Sequence, residues 1–147
     1  MKKKPLEYAL YLLELRDRSV AEIKRKMTEK EYPEEEITKT LQFLTEKNFL
    51  DDERFTENYI KQLQLRSQGV YKIRNHLRKF GLDRELVEEK LKNIDNDSEY
   101  ETAKELAQNW LKKKNVPPEK KYDKLGRFLI GRGYSIDNTK KILEELL

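Results

Sequence analysis

The chain of 147 residues contains no cysteine and a single histidine, His76. Without cysteine it cannot form disulfides or use a thiol nucleophile, which fits a reducing compartment such as the cytoplasm. The sequence also lacks the P-loop, GxGxxG and HExxH patterns of phosphate, dinucleotide and zinc sites. We therefore expect neither an enzyme nor a bound cofactor or metal.

Long apolar segments are missing as well. No stretch approaches the roughly 18 apolar residues that a membrane-spanning helix needs. The basic start MKKKPLEYALYLLELRDR is interrupted by acids and tyrosines, so it lacks a signal-peptide core. Charged residues make up 41% of the chain, and a disordered protein could have the same composition. Regular apolar spacing argues for a folded protein, which we expect to be cytoplasmic, without membrane contact.

That spacing repeats at intervals of about fifty residues. A shift of 50 aligns the first copy with the second, and a further shift of 52 aligns the second with the third. The spacing of four, five, five and four residues predicts two amphipathic helices joined by a tight turn. The alternative is that the chain forms one compact helical bundle and that the repeated apolar spacing is accidental. The aligned residues, apolar or aromatic except Thr139, are Ile23, Met27, Tyr32, Ile37 and Leu41; Ile73, Leu77, Leu82, Val87 and Leu91; and Leu125, Leu129, Tyr134, Thr139 and Leu143.

The turns between these helices repeat too. Gly81 and Gly133 stand where a helix ends, and glycine adopts the left-handed conformation of that position most easily. Asp83 and Ser135 follow as predicted N-caps of the next helix. In the first copy Glu31 replaces the glycine, which would cost on the order of 1 kcal/mol in a left-handed conformation.

An additional helix precedes each pair, so the fold class is all-α. We predict three tandem three-helix repeats, 1–50, 51–96 and 97–147, which form an elongated array that can curve. The upstream helices carry Leu6, Ala9, Leu10 and Leu13; Phe55, Tyr59, Ile60 and Leu63; and Ala103, Leu106, Ala107, Trp110 and Leu111.

Two acidic or polar stretches mark helix starts. Ser19 and Glu22 have the spacing of a capping box. In the consecutive acids Asp51, Asp52 and Glu53 we see the cap and first turn of a helix, because no histidine or cysteine is nearby to complete a transition-metal site.

Basic residues are segregated along the chain. Lys61 to Lys79 contains six bases and no acid, and each middle helix offers bases beside its apolar stripe. They could form a repeated surface for a polyanion or an acidic partner, or only a solvated face. The candidate contact residues are Lys24, Arg25, Arg66, Lys72, Arg74, Arg78, Lys79, Lys124, Arg127 and Arg132.

The segments RDRSVAEIKRKM, NFLDDERFTENYI, GVYKIRNHLRKFG and RFLIGRGYS together resemble the RecX family of bacterial recombination regulators. The resemblance runs from about Tyr8 to Leu143. It implies an all-helical protein of three repeated motifs that binds the RecA protein and its filament on DNA. Such a protein inhibits RecA ATP hydrolysis and strand exchange, and so modulates recombination, DNA repair and the SOS response. Some members also bind DNA directly.

Three hypotheses follow. The first is a monomeric regulator of the RecA–DNA filament, without a cofactor. The second is a direct binder of single- or double-stranded DNA whose units act like helix-turn-helix modules. The third, an enzyme, rests only on Asp51, Asp52 and Glu53.

Overall fold

The computed structural model describes residues 2–147. Over this range nine α-helices and one short 3₁₀ helix follow one another, and no strand occurs. The all-α class and the three successive groups of three helices are thereby confirmed. The helices are α1 (Pro5–Leu15), α2 (Val20–Glu29), α3 (Glu34–Glu46), α4 (Asp52–Leu65), α5 (Val70–Leu77), the 3₁₀ helix (Arg78–Phe80), α6 (Arg84–Lys92), α7 (Asn96–Lys113), α8 (Pro118–Gly131) and α9 (Ile136–Leu146).

The predicted N-caps are in place. Ser19 and Glu22 form a capping box, in which each side chain accepts a hydrogen bond from the other residue's backbone N–H, at 3.2 and 3.0 Å. Asp51 and Ser135 each accept from the backbone N–H three residues later, both at 3.1 Å. Asp83 makes a longer contact, 3.4 Å, with the N–H two residues later. These bonds satisfy donors that a helix start leaves without partners.

The turn residues also behave as predicted. Gly81 and Gly133 have φ of 64° and 98°, in the left-handed region. Glu31 has φ of 64° and shares that conformation although it carries a β-carbon. A left-handed non-glycine residue costs about 1–2 kcal/mol, so the first turn is strained where the other two are not.

The aligned apolar positions form the interior. Thirteen of the fifteen are buried, and only Leu41 and Leu82 are half-buried. Thr139, the one polar member, is buried as well. The repeat interval therefore marks the core-facing sides of the helices.

The chain divides into two compact units. The first contains the chain through Asn58 together with Leu77–Val87. Helices α1, α2 and α3 pack around one apolar cluster there, and Phe80 packs edge-on against Phe55 with ring centroids 5.0 Å apart. The cluster comprises Tyr8, Ala9, Leu12, Ile23, Met27, Tyr32, Ile37, Leu44 and Leu50.

The second unit contains Tyr59–His76 and Glu88–Leu147. Its cluster lies among α7, α8 and α9, where small alanines on α7 allow close packing. Trp110 stacks on Phe128 with ring centroids 6.1 Å apart, so this indole packs within the second unit. The buried members are Ala103, Ala107, Leu125, Leu129, Tyr134, Ile142 and Leu143.

Helices α4, α5 and α6 contribute residues to both units. The repeat boundaries at 50/51 and 96/97, like the elongated array, stay predictions. None of the helices in residues 2–147 is long and apolar enough to cross a membrane.

Candidate binding surface

The start of α2 meets the turn between the 3₁₀ helix and α6, and we call this contact the first junction. It lies within the first unit. The Ser19 hydroxyl donates a hydrogen bond of 2.6 Å to the carbonyl of Phe80. Beside it, a β-carbon added to Gly81 would lie 2.6 Å from the β-carbon of Ala21. Glycine at 81 thus serves both the left-handed turn and this close approach.

The carboxylate of Asp52 completes the first junction. The backbone N–H of Val20, the first residue of α2, donates to Asp52 Oδ1 at 2.9 Å. Asp52 therefore caps a helix of the preceding repeat, whereas Asp51 caps its own helix, α4. The prediction that these acids are structural caps is confirmed for both, although the partner of Asp52 is distant in sequence.

The same arrangement recurs where the start of α5 meets the turn between α8 and α9, which we call the second junction. It lies within the second unit. The N–H of Gly69 donates to the carbonyl of Arg132 at 2.8 Å, and the N–H of Tyr71 to that of Gly133 at 3.0 Å. A β-carbon on Gly69 would lie 2.4 Å from the Gly133 carbonyl, so this position requires glycine.

Glu99 occupies the second junction as Asp52 occupies the first. Its Oε1 accepts from the N–H of Val70, the first residue of α5, at 3.2 Å. Both middle helices thus have an N–H at their start capped by an acid on the first helix of the next repeat. The positive end of the helix dipole favours a carboxylate at that place.

Burial has an electrostatic cost at both acids. It raises the pKa of Asp52 and of Glu99, because it disfavours the charged carboxylate, and the hydrogen bond from the backbone opposes this effect. Burial, with the nearby charge of Glu99, also raises the pKa of Tyr134 to about 12. Glu99, Gln68 and Tyr134 line one small pocket of about 40 Å³.

Three of the ten candidate bases make contacts within the second unit. Arg74 forms a two-pronged ion pair with Glu88, at 2.8 and 3.1 Å, which raises the pKa of the guanidinium. Lys72 Nζ donates to the carbonyl of Gly131 at 3.3 Å. Arg132 donates to the carbonyl of Ser67 at 3.3 Å and to that of Arg66. These bases connect elements of the fold.

Four exposed candidates lie around the first junction. Lys24 and Arg25 follow Ala21 by three and four residues, so they share its face of α2. Arg78 and Lys79 directly precede Phe80, whose carbonyl bonds the start of α2. Arg25 also pairs loosely with Glu29, at 3.8 Å. The first junction thus brings together bases that are over fifty residues apart in sequence.

The remaining exposed candidates lie in the second unit. Lys124 and Arg127 are three residues apart on α8, and Arg66 follows the end of α4. The arrangement of all ten bases along one strip stays a prediction. His76 is half-buried on α5. Among residues 2–147, no group of three or more His, Cys, Asp or Glu side chains could hold a metal ion.

Sequence reasoning missed Gly69 and Glu99. Gly69 had a usable signal, because the 50-residue shift places it on the predicted cap Ser19. No signal of this kind marks Glu99, since it does not align with Asp52 at either shift.

The chain matches family models along most of its length. They describe the first three-helix domain of RecX at residues 6–44, the second at 51–91 and the third at 97–143. The chain belongs to the RecX family.

Individual RecX proteins agree with this assignment. The chain is 40% identical over 141 residues to the "Regulatory protein RecX" of Clostridium perfringens strain SM101, covering 94% of this chain and 66% of that one. It is 36% identical over 144 residues to the protein of that name from Clostridium botulinum strain Eklund 17B, covering 96% and 68%. The chain therefore spans about two thirds of the length of these relatives.

Solved structures share the fold. A crystal structure of RecX from Lactobacillus salivarius superposes with a TM-score of 0.86 at 23% identity, covering 97% of this chain and 94% of that one. A second, described as regulatory protein RecX, gives 0.83 at 24% identity, covering 96% and 72%. At these identities the likeness establishes the three-repeat architecture.

Proposed function

We propose that this chain is a regulator that binds the RecA recombinase, or the RecA filament on DNA, and inhibits RecA ATP hydrolysis and strand exchange. It thereby modulates recombination, DNA repair and the SOS response. Membership in the RecX family supports this proposal, as do the clostridial relatives named regulatory proteins. The chain acts by binding, as a monomer in the cytoplasm.

The observation that carries the proposal is the group of exposed bases around the first junction. Lys24 and Arg25 lie on α2, and Arg78 and Lys79 lie on the 3₁₀ helix, whose last residue is joined to the start of α2 by the Ser19–Phe80 hydrogen bond. Bases on two helices joined in this way lose less conformational freedom on binding than bases on a mobile loop. Such a group suits the carboxylates of a protein partner or the phosphates of DNA.

The test is the DNA-dependent ATPase of the cognate RecA, measured with stable filaments on single-stranded DNA. The wild type should lower ATP turnover, and Arg78→Glu/Lys79→Glu should inhibit at least about tenfold less well, because two favourable charges become repulsive. Lys112→Glu/Lys120→Glu is the matched control, since both lysines are exposed and lie outside the candidate set. Full ATP turnover in the presence of excess wild type would overturn the proposal.

Arg74 is a poor choice for this test although the sequence favoured it equally. Its guanidinium is held by Glu88 at 2.8 Å, so Arg74→Glu would place two carboxylates together and disturb the fold. A loss of activity in that variant would not distinguish binding from folding. Arg78 and Lys79 are exposed and avoid the problem.

Direct DNA binding is the second candidate function, and the same bases favour it. A protein that neutralises phosphates loses affinity steeply with salt, with a slope set by the number of phosphates contacted. Fluorescence anisotropy with free single- and double-stranded DNA over a salt series measures that slope. If Arg78→Glu/Lys79→Glu no longer binds DNA but still inhibits RecA, the two functions use different residues and the recombinase is the primary partner.

A further inference from the structure

An open pocket of about 360 Å³ lies in the second unit beside the second junction. Three large apolar side chains on its wall stay exposed: Tyr71 by 54%, Ile130 by 43% and Ile136 by 62%. They come from three different helices, α5, α8 and α9, and Ser135 and Asp137 add polar atoms. Scattered exposed apolar residues are ordinary, but several around one concave site indicate a binding surface.

The repeat shows that folding does not need these apolar side chains. The shift of 50 places Tyr71 on Ala21, and the shift of 52 places Ile130 on Arg78 and Ile136 on Arg84. Arg78, the first residue of the 3₁₀ helix, and Arg84, the first residue of α6, are both exposed. The repeat thus accommodates arginine where the third copy has isoleucine, so the apolar surface is a specific feature of the second junction.

The charged residues around the pocket indicate what kind of partner would fit it. The Arg74 guanidinium lies 5.5 Å from the Tyr71 ring centroid, and Arg74 is paired with Glu88. Asp137 is the one charged side chain of the pocket wall, so the positive charge comes from bases that lie around the pocket. The other nearby bases are Lys72, whose ammonium contacts Gly131, and the exposed Arg127 and Lys140, each within one helical turn of an exposed isoleucine. An occupant that complements this surface carries carboxylates around an apolar group.

We propose that this pocket docks an apolar side chain of a partner protein, flanked by acidic residues. The inference rests on the function proposed above, in which that partner is a RecA subunit. A nucleic acid suits the pocket less well, because Tyr71 is the one exposed aromatic ring of its wall and the two isoleucines beside it offer no face for base stacking. The first junction, with arginines in place of the isoleucines, then presents charge where the second presents an apolar contact.

The variant that tests the pocket is Ile130→Arg/Ile136→Arg, which installs the side chains that the preceding repeat carries at the same positions. The variant should fold like the wild type, with a closely similar circular dichroism spectrum and thermal midpoint. Its binding to RecA filaments, measured by co-sedimentation, should weaken at least about tenfold, because charge replaces the apolar contact. Its affinity for free DNA should stay equal or rise.

Leu65→Arg/Tyr122→Arg is the matched control. It makes the same change in charge at two exposed apolar residues of the second unit, 87% and 50% exposed, that do not line the pocket. This control should bind RecA filaments like the wild type. An equal loss in both double variants would mean that added positive charge alone weakens binding, and would overturn the pocket proposal.

The absence of cysteine allows a direct contact test. Ile136→Cys introduces a unique thiol, and a photoreactive maleimide attached there should cross-link to RecA when filaments are present. The same label at Leu65→Cys should not. Cross-linking at both positions, or at neither, would contradict docking in the pocket.

The outcomes separate the two proposals. If the wild type neither binds nor inhibits RecA, the proposed function and the pocket proposal fail together. If the wild type binds and Ile130→Arg/Ile136→Arg binds equally well, only the pocket proposal fails. A variant that loses DNA affinity, or one that dissociates a dimer of the wild type, would instead assign the pocket to nucleic acid or to a second copy, and either result overturns docking of RecA there.

Discussion

Asp52 holds the start of a helix that lies 32 residues before it in the chain. Its Oδ1 accepts the backbone N–H of Val20 at 2.9 Å, as Glu99 accepts that of Val70 at 3.2 Å. In each of the first two repeats, an N–H group at the start of the middle helix therefore donates a hydrogen bond to an acid of the following repeat. Small three-helix units bury little surface of their own, so such bonds help neighbouring repeats to fold together.

Removal of the Asp52 acceptor should destabilise the protein. Asp52→Ala leaves the Val20 N–H without its partner in a partly buried place, so we expect the free energy of unfolding to fall by about 1–2 kcal/mol. Urea denaturation measures the loss. Asp52→Asn retains a side-chain oxygen of the same reach and should lose less; equal losses in both variants would contradict the capping role.

Glu99 should make stability depend on pH. Burial raises its pKa above the ordinary value of 4.5, so folding favours the protonated carboxyl. This contribution is full below the pKa of the unfolded chain and is lost as the pH rises through the pKa of the folded state. As the pH rises through that window, the free energy of unfolding of the wild type should therefore fall relative to that of Glu99→Gln.

Denaturation at a series of pH values, from acidic to neutral, measures this difference. The exposed Glu101 lies on the same helix, so Glu101→Gln is the control, and its stability relative to the wild type should change little over the same range. A constant difference between the wild type and Glu99→Gln would refute the linkage.

The left-handed Glu31 is a position where a single change should stabilise the protein. Glu31→Gly removes the clash of the β-carbon at φ of 64° and should raise the free energy of unfolding by about 1 kcal/mol. Glu31→Ala is the control, because it removes the carboxylate and retains the β-carbon. A gain in the alanine variant as large as that in the glycine variant would point to charge as the cause.

Gly69 and Gly131 should respond in opposite ways to alanine. At Gly69 the new β-carbon would lie 2.4 Å from backbone atoms of Gly133, so Gly69→Ala must move the second junction and should cost about 1–3 kcal/mol. At Gly131 nothing lies within 4 Å of the new atom, and alanine favours the helix. Thermal unfolding of both variants checks the contrast, which would be wrong if Gly69→Ala melted like the wild type.

Local signals predicted the helices and their ends. The Ser19–Glu22 capping box and the Ser135 cap join groups that are three residues apart. The turns at Gly81 and Gly133 depend on the left-handed φ angle of the glycine itself. Each of these features involves only one residue or its near neighbours in the chain, so the residue types were enough to predict it.

The candidate site was predicted less completely. Arg74 and Arg78 are indistinguishable as bases four residues apart in the sequence, yet Glu88 holds Arg74 while Arg78 is exposed. Tyr71, Ile130 and Ile136 were not singled out, because their convergence on one pocket depends on three helices meeting.

The sequence by itself determined the helices, their caps and the core-facing positions, because each follows from residues within one or two helical turns. It also determined the repeat interval, because the same apolar spacing recurs along the chain. Only the tertiary structure decided that Asp52 caps α2, that Glu99 caps α5, and which bases remain available for a partner. Those contacts join residues dozens of positions apart, whose meeting depends on how helices pack.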